Sequence, residues 1–249
     1  MKEAMLSIRD GVKVTDTKMV IMNHLNLDVK QGDFITILGG NGAGKSTLFN
    51  SISGKLSLTS GDVLLNGKII TKDSEEKRAK YLGRVFQDPK LGTAPRMTVA
   101  ENLMLASKRG EKRNLTFRNI KAEQADYLEM CKKIGNGLEK HLDTPAGNLS
   151  GGQRQALSLL MATMTQPDIL LLDEHTAALD PKTAKQLMEL TEETIKKDRL
   201  TCLMITHRME DALKYGNRLI VLENGQIKRD ISEEEKNQLT LRDVLSYFE

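Results

Sequence analysis

Gly39-Gly40-Asn41-Gly42-Ala43-Gly44-Lys45-Ser46-Thr47 follows directly on the apolar run Phe34-Ile35-Thr36-Ile37-Leu38. From Gly39 to Ser46 the stretch fits the spacing G-x-x-x-x-G-K-[ST], and the run before it reads as a short buried strand, so the context is strand, loop, helix. Glycines let the backbone turn with positive φ and bring consecutive N–H groups close to a polyanion. A helix starting near Lys45 points the positive end of its dipole at the same place, which makes a phosphate cradle. In such a cradle Lys45 reaches the β and γ phosphates, and the Ser46 hydroxyl is a ligand for a Mg²⁺ whose other oxygens come from phosphate, water and a carboxylate. Gly39, Asn41, Gly42, Ala43, Gly44, Lys45, Ser46 and Thr47 are therefore the candidate nucleotide-binding residues of this loop.

Outward from the loop, the chain reads as alternating strands and helices. Upstream, Leu6, Ile8, Val12 and Val14, then Val20 to Met22, then Leu25, Leu27 and Val29 suggest an antiparallel β region over residues 5 to 38, with a Gln31-Gly32-Asp33 turn into the central strand. Downstream, Leu48, Phe49, Ile52 and Leu56 suggest an apolar helix side ending at Gly54 or soon after, and Asn66-Gly67 predicts a hairpin. From about Gly92 to Met164 the periodicity is helical, including a basic stretch from Lys108 to Arg118 read as a solvated loop or helix face. Beyond Asp168 the alternation resumes. Asp180-Pro181 predicts a capped helix start, Thr201 to Thr206 a buried strand, Asn224-Gly225 a third hairpin, and Ser232 with Glu235 a capping box. Strands alternating with helices imply an α/β fold whose mostly parallel sheet is covered on both faces.

Composition narrows the function. The 249 residues are 39% hydrophobic, enough for one large α/β domain or two small ones and for a real core. Lys and Arg number 37 against 34 acidic residues, a balance that does not argue for a nucleic-acid partner. No apolar run approaches the roughly 20 residues that span a bilayer, and no signal-peptide stretch follows Met1, so a soluble intracellular chain is expected. Cys131 and Cys202 stand far apart with no Cys or His at ligand spacing, which suggests neither a disulfide framework nor a zinc site.

Two further motifs accompany the phosphate loop. Ile169-Leu170-Leu171-Leu172-Asp173-Glu174 is an apolar strand delivering two carboxylates at its C-terminal end, where α/β sheets place their ligands. Asp173 suits the metal shell, and Glu174 is placed to polarise a water attacking the γ-phosphate, an assistance worth on the order of 10²–10⁴ in rate. Before it, Leu149-Ser150-Gly151-Gly152-Gln153 opens an apolar helix that Ser150 could cap, leaving a second helix N-terminus fit for an anion. One phosphate tail does not need two such ends from one chain. The economical explanation is that the second serves a nucleotide held by another subunit.

At these residues the sequence resembles the ATP-binding cassette ATPases that energise ABC transporters. Leu149 to Gln153 matches their signature motif letter for letter, and the resemblance runs through the chain in family order: phosphate loop, glutamine loop, signature, acidic strand, Ala178-Leu179-Asp180 loop and switch histidine. It implies a P-loop NTPase (RecA-like) core with an N-terminal antiparallel β region, residues 1–249 forming one ATPase domain and residues 92–164 a helical subdomain inserted within it. It further implies ATP and Mg²⁺ as ligands, and Gln87, in Phe86-Gln87-Asp88-Pro89, as a residue that touches metal or water and relays to a membrane subunit. Asp180 resembles the residue that crosses a dimer interface, and His207, after Leu203-Met204-Ile205-Thr206, the switch histidine contacting the γ-phosphate. Ser150, Gly151, Gly152 and Gln153 are similar to the residues that hold the partner copy's nucleotide. Catalytic roles fall to Glu174, His207 and Gln87, and metal contacts to Ser46, Gln87 and Asp173.

The implied partners are transmembrane permease subunits, a second ATPase copy in a homodimer and an extracytoplasmic solute-binding protein, at the cytoplasmic face of the membrane and without nucleic acid. Leu48-Phe49-Asn50, Arg84-Val85-Phe86-Gln87 and Met97 to Leu103 further resemble the ATPases of amino-acid uptake systems, which implies import; an exporter ATPase and an iron–sulfur cluster assembly ATPase are the alternatives. Two positions depart from the family. No Phe, Tyr or Trp precedes Phe34, where family members place an aromatic that stacks on adenine; Val14 or Thr15 stands nearest by position, and weaker base recognition is implied. His175 replaces the proline that often follows the glutamate, and is expected to be structural.

Overall fold

The structure, a computed structural model, describes residues 4–111 and 120–248. The antiparallel β region is present as a sheet of four strands in the order β2-β1-β4-β5, formed by β1 (Leu6–Val14), β2 (Val20–Val29), β4 (Ser60–Leu65) and β5 (Lys68–Ile69). The second sheet has the order β10-β9-β3-β8-β7-β6, with β3 (Phe34–Gly39), β6 (Leu82–Val85), β7 (Ile169–Asp173), β8 (Thr201–Ile205), β9 (Arg218–Glu223) and β10 (Gln226–Ile231). All its pairings are parallel except the β9–β10 hairpin. The strand leading into the phosphate loop thus lies inside the parallel sheet, between β8 and β9, with every residue buried. Both hairpin turns read from sequence form, with positive φ at Asn66, Gly67, Asn224 and Gly225 as a two-residue primed turn demands. The edge strand β6 carried too short a pattern to be singled out.

Alternation along the parallel strands assigns the two faces. Ile169 and Leu171 of β7, Leu203 and Ile205 of β8, and Ile35 and Ile37 of β3 join one core with the antiparallel sheet and with Leu48, Phe49 and Ile52 of α1 (Lys45–Ser53). Leu170, Leu172, Cys202 and Met204 point the other way, into a core with α3 (Val99–Ser107), α4 (Ile120–Ile134), α5 (Gly151–Thr163) and α6 (Pro181–Asp198). The phosphate-loop helix α1 and the signature helix α5 therefore cover opposite faces of one sheet. Helix α1 ends at Ser53 with Gly54 in the left-handed region, so Leu56 lies beyond it.

Between β6 and β7 every described helix or strand is helical. The sequence there places Cys131 among the core residues with Leu103, Tyr127 and Leu138. One reading needs correction. Arg109, taken as part of a solvated basic stretch, is largely buried and donates through its guanidinium to the Met161 and Ala162 carbonyls, the last of α5. A helix C-terminus leaves such carbonyls without intrahelical partners, and an arginine satisfies them while favouring the dipole. Lys112, Arg113 and Arg118 lie outside the described residues. Helix α6 begins as its sequence suggests: Asp180 is the N-cap, its carboxylate accepts from the Thr183 N–H at 3.1 Å, and Pro181 takes the first helical position. Ser232 and Glu235 make the expected capping box of α8 (Glu233–Lys236). A second box, Thr240 with Asp243, starts α9 (Leu241–Leu245), after α7 (Met209–Lys214) and α8 have completed the chain's covering of β9 and β3.

Candidate active site

Three strand ends meet at one edge of the parallel sheet. β3 runs off into the phosphate loop at Gly39, Asp173 pairs in register with Ile205, and Thr206 N–H donates to the Ile37 carbonyl, so the loop, the two carboxylates and His207 stand side by side. This is the carboxyl edge, where α/β sheets take their ligands.

The loop itself is shaped by its glycines. Gly44 holds φ 100° as the N-cap of α1, a region closed to most L-residues, and a Cβ there would sit 3.0 Å from the Ile21 carbonyl of β2. No side chain caps α1, so its first N–H groups are left for a ligand. Lys45, 7% exposed, folds back to donate to the Gly39 carbonyl at 2.6 Å and the Gly40 carbonyl at 3.0 Å. Burial lowers its pKa from the ordinary value, while the Glu174 and Asp173 carboxylates pull the other way. Ser46 is exposed, and its hydroxyl has no hydrogen-bond partner among the described residues.

Glu174 and His207 are in contact: the His207 Nε2 stands 2.6 Å from the Glu174 carboxylate. Glu174 adopts φ 47°, unusual for a residue with a Cβ, and its N–H donates to the Ile205 carbonyl at 3.0 Å. The left-handed turn lifts the carboxylate out of the strand direction, and strain of that kind gathers at functional sites. His175, next along, is buried; its Nε2 donates to the Thr191 hydroxyl at 3.1 Å, because that hydroxyl is itself committed as donor to the Leu187 carbonyl at 2.7 Å. Its role is to anchor the segment on α6. Asp173 makes an ion pair that sequence reasoning missed. Arg84 of β6 reaches it at 2.9 Å and also donates to the Asn50 side chain of α1 at 2.8 Å. Nothing local in the sequence could have signalled this, because Arg84, Asn50 and Asp173 are brought together only by the order of strands.

Gln87 lies just past the end of β6 at the same sheet edge and is exposed. The chain before it is fastened to α5, where the Gln155 side chain donates to the Phe86 carbonyl at 2.9 Å. The signature residues are elsewhere. Ser150 is the N-cap of α5, with a full capping box to Gln153, and is exposed with Gly151. The nearest neighbours of Gly151 and Gly152 are Leu179, Thr183 and Asn136, none of them from the phosphate loop. Asp180 is exposed beside them. The structure thus gathers Lys45, Asp173, Glu174 and His207 into one site and leaves Ser150, Gly151, Gly152, Gln153 and Asp180 as a second, separate group.

One chain thus carries two separate helix starts on opposite sheet faces, that of α1 without a side-chain cap and that of α5 with the Ser150–Gln153 capping box. A family model described as ABC transporter matches residues 22–177. The chain belongs to the ABC transporter family. Within it the chain is an ATP-binding ATPase component. It is 45% identical over 229 residues to the tyrosine transport ATP-binding protein of Clostridioides difficile (strain R20291), covering 92% of this chain and 91% of that protein. A putative hemin import ATP-binding protein, HrtA, of Staphylococcus epidermidis (strain ATCC 35984) is 36% identical, covering 88% and 94%. Among solved structures, the ATP-binding cassette MJ1267 superposes with a TM-score of 0.81 at 31% identity, covering 99% of each chain. The dimeric post-hydrolysis state of the cassette MJ0796, bound to ADP and Pi, superposes at 0.77 with 26% identity, over 92% and 99%.

The oxygen set fits a magnesium ion. The described residues hold no cluster of three or more acidic, His or Cys side chains able to cage a metal. Asp173 keeps one oxygen, and Ser46 its hydroxyl, without a hydrogen-bond partner among the described residues, which suits an ion that keeps its waters and takes most ligands from substrate phosphates. No described helix is long and apolar enough to cross a membrane.

Proposed function

We propose that this chain is the ATPase subunit of an uptake transporter for a small organic solute, an amino acid being the first candidate, and that it works as a homodimer around two ATP. The observation that carries the dimer is the placement of α1 and α5 on opposite sheet faces, which gives one chain two half-sites that only a second copy completes. The amino-acid reading is supported by the 45% identity to a tyrosine transport ATP-binding protein across nine-tenths of the chain, and import by relatives named for hemin and thiamine import. Residues 1–249 act as one domain, with 92–164 as its helical subdomain. The partners are transmembrane permease subunits, served by an extracytoplasmic solute-binding protein, and the chain works at the cytoplasmic face of the membrane.

In this mechanism Lys45 and the bare N–H groups of the phosphate loop hold the β and γ phosphates, with Asn41, Ala43 and Thr47 completing the loop. Ser46, Asp173 and Gln87 would hold Mg²⁺, which when bound would neutralise phosphate charge. Glu174 takes the proton of the attacking water, and His207, in contact with it, orients that carboxylate and faces the γ-phosphate. Ser150, Gly151, Gly152 and Gln153 of the partner copy close the site, with Asp180 crossing the interface. ATP bridges the halves, so binding favours the closed dimer, and hydrolysis removes the bridge.

The test is a pull-down of tagged Glu174→Gln protein from detergent-solubilised cells with and without MgATP. Losing the proton acceptor while keeping the site should arrest turnover and trap a dimer with a multi-span permease. Recovery of soluble assembly factors alone, or an ATP-bound protein that stays monomeric, would sink the proposal. Unchanged uptake in a deletion strain would remove the import reading alone.

A further inference from the structure

We infer that Arg84 acts as a built-in counterion that occupies Asp173 and keeps this carboxylate from taking a divalent metal until nucleotide arrives. The inference rests on the reading of Asp173 as the metal carboxylate, and extends it with a residue that no motif assigns.

Arg84 does not behave as a surface arginine. Its side chain is 11% exposed and that of Asp173 17%. One terminal nitrogen donates to Asp173 Oδ2 at 2.9 Å; the other donates to Asn50 Oδ1 at 2.8 Å and to the Ser53 hydroxyl at 3.4 Å. The planar carbon lies 4.7 Å from the centre of the Phe86 ring, and the buried Nε has no partner among the described residues. The pose leaves one buried donor unsatisfied while it aims both terminal nitrogens at acceptors on β7 and α1. What the pose achieves is to spend one oxygen of Asp173 on a fixed positive charge. Oδ1 has no hydrogen-bond partner among the described residues and remains the oxygen available to a metal.

The charge balance explains the consequence. Without nucleotide the pocket holds Asp173 and Glu174 against Lys45 and Arg84, two charges of each sign, so a bare dication meets no net attraction. The repulsion between a unit charge and a dication roughly 6 Å apart, even at the dielectric of water, is worth about tenfold in affinity. Triphosphate brings enough negative charge to overcome it. Metal thus enters with nucleotide, and Asp173 is kept in one rotamer meanwhile. Three residues beyond Arg84 on the same strand end stands Gln87, so a partner that moves the Gln87 loop also pulls on this counterion.

The experiment is a titration of Mn²⁺ into nucleotide-free protein, following the free-ion EPR signal. Wild type should bind weakly, and Arg84→Gln about tenfold more tightly. Arg84→Met, neutral and able to rest on Phe86, should show the same gain if Arg84→Gln folds poorly. Arg84→Lys, which keeps the charge, should stay near wild type, and Arg84→Gln/Asp173→Asn should lose the gain. Folding of each variant is checked by circular dichroism. Equal Mn²⁺ affinity in wild type and both folded neutral variants overturns the counterion role and leaves Arg84 a staple between β6 and α1. The underlying reading fails separately: Asp173→Asn alone would then bind Mn²⁺ with a non-hydrolysable ATP analogue as tightly as wild type.

Discussion

Gly152→Ala separates packing from function at the signature helix. A Cβ at this position would lie 2.4 Å from Thr183 Cγ2 on α6, far inside van der Waals contact, while the next neighbour, Asn136 Nδ2, is at a comfortable 3.6 Å. The backbone of Thr183 is held by the Asp180 cap, so relief must come from a χ1 change or a shift of α6. Overpacking of this kind costs about 1–3 kcal/mol. The better helix propensity of alanine returns up to about 1 kcal/mol, so a net loss of about 1–2 kcal/mol is expected. For a chain of this size that lowers Tm by about 2–8 °C. Thr183→Ser deletes the offending methyl and keeps the backbone bond to Asp180, so Gly152→Ala/Thr183→Ser should regain most of the loss in thermal and urea unfolding. Gly151→Ala is the control: its Cβ would meet Leu179 Cδ2 at an ordinary 3.5 Å, and stability should hold or rise. Because Gly151 is exposed at the helix start proposed to receive the partner's ATP, the same control should lose ATP-dependent dimerisation with its Tm intact. A double variant as unstable as Gly152→Ala alone would refute the steric argument. A Gly151→Ala protein that dimerises normally would refute the assignment of that helix start.

Burial holds the His175 imidazole neutral, with its pKa pushed down to about 4 from an ordinary 6.5. The unfolded chain therefore takes up this proton first as pH falls, so stability present above about pH 6.5 is lost progressively down to pH 4, by about 3 kcal/mol. Urea midpoints across that window should fall in wild type and flatten by that amount in His175→Gln; parallel curves would dismiss the effect. Arg109→Met removes the donors to the Met161 and Ala162 carbonyls while keeping much of the apolar stem, and should cost about 1–3 kcal/mol without altering nucleotide affinity. Equilibrium unfolding and binding of a fluorescent ATP analogue read the two quantities, and weakened binding at unchanged stability would contradict the capping role.

What the sequence made legible was local. The phosphate loop, the acidic strand end, the Asp180 and Ser150 caps and the Asn-Gly turns each need only a few neighbouring residues to declare themselves, since each is a short-range solution to backbone geometry or to unpaired N–H groups. The bulk of α1 followed from its apolar side, although Leu56 falls outside it. Lost to the sequence was whatever depended on strand order. β6 is four residues long and sits at a sheet edge, too short for a pattern, and with it went Arg84. Arg109 looked solvated because its partners are carbonyls more than fifty positions away, and carbonyls have no sequence identity.

The same distinction explains how one chain can hold two separate groups of candidate site residues. Side-chain alternation along β7 sends Leu171 to the α1 core and Leu172 to the α5 core, so each helix is fixed by apolar contacts on its own face. Neither packing problem constrains the other, and neither positions α5 toward the phosphate loop. Polar ties run between the two faces. Gln155 of α5 holds the Phe86 carbonyl, Arg84 two residues earlier holds Asp173 and Asn50, and the ring of Phe86 lies against Arg84. This short path joins the signature helix, the Gln87 loop, the candidate metal carboxylate and α1, and it passes through the edge strand, the part of the sheet with a neighbour on one side only. An edge strand moves at less cost than a central one, since half its ladder is already free. The proposed partner at the Gln87 loop would therefore act where the sheet resists least and where a small shift reaches both Arg84 at Asp173 and the helix start proposed to meet the second copy.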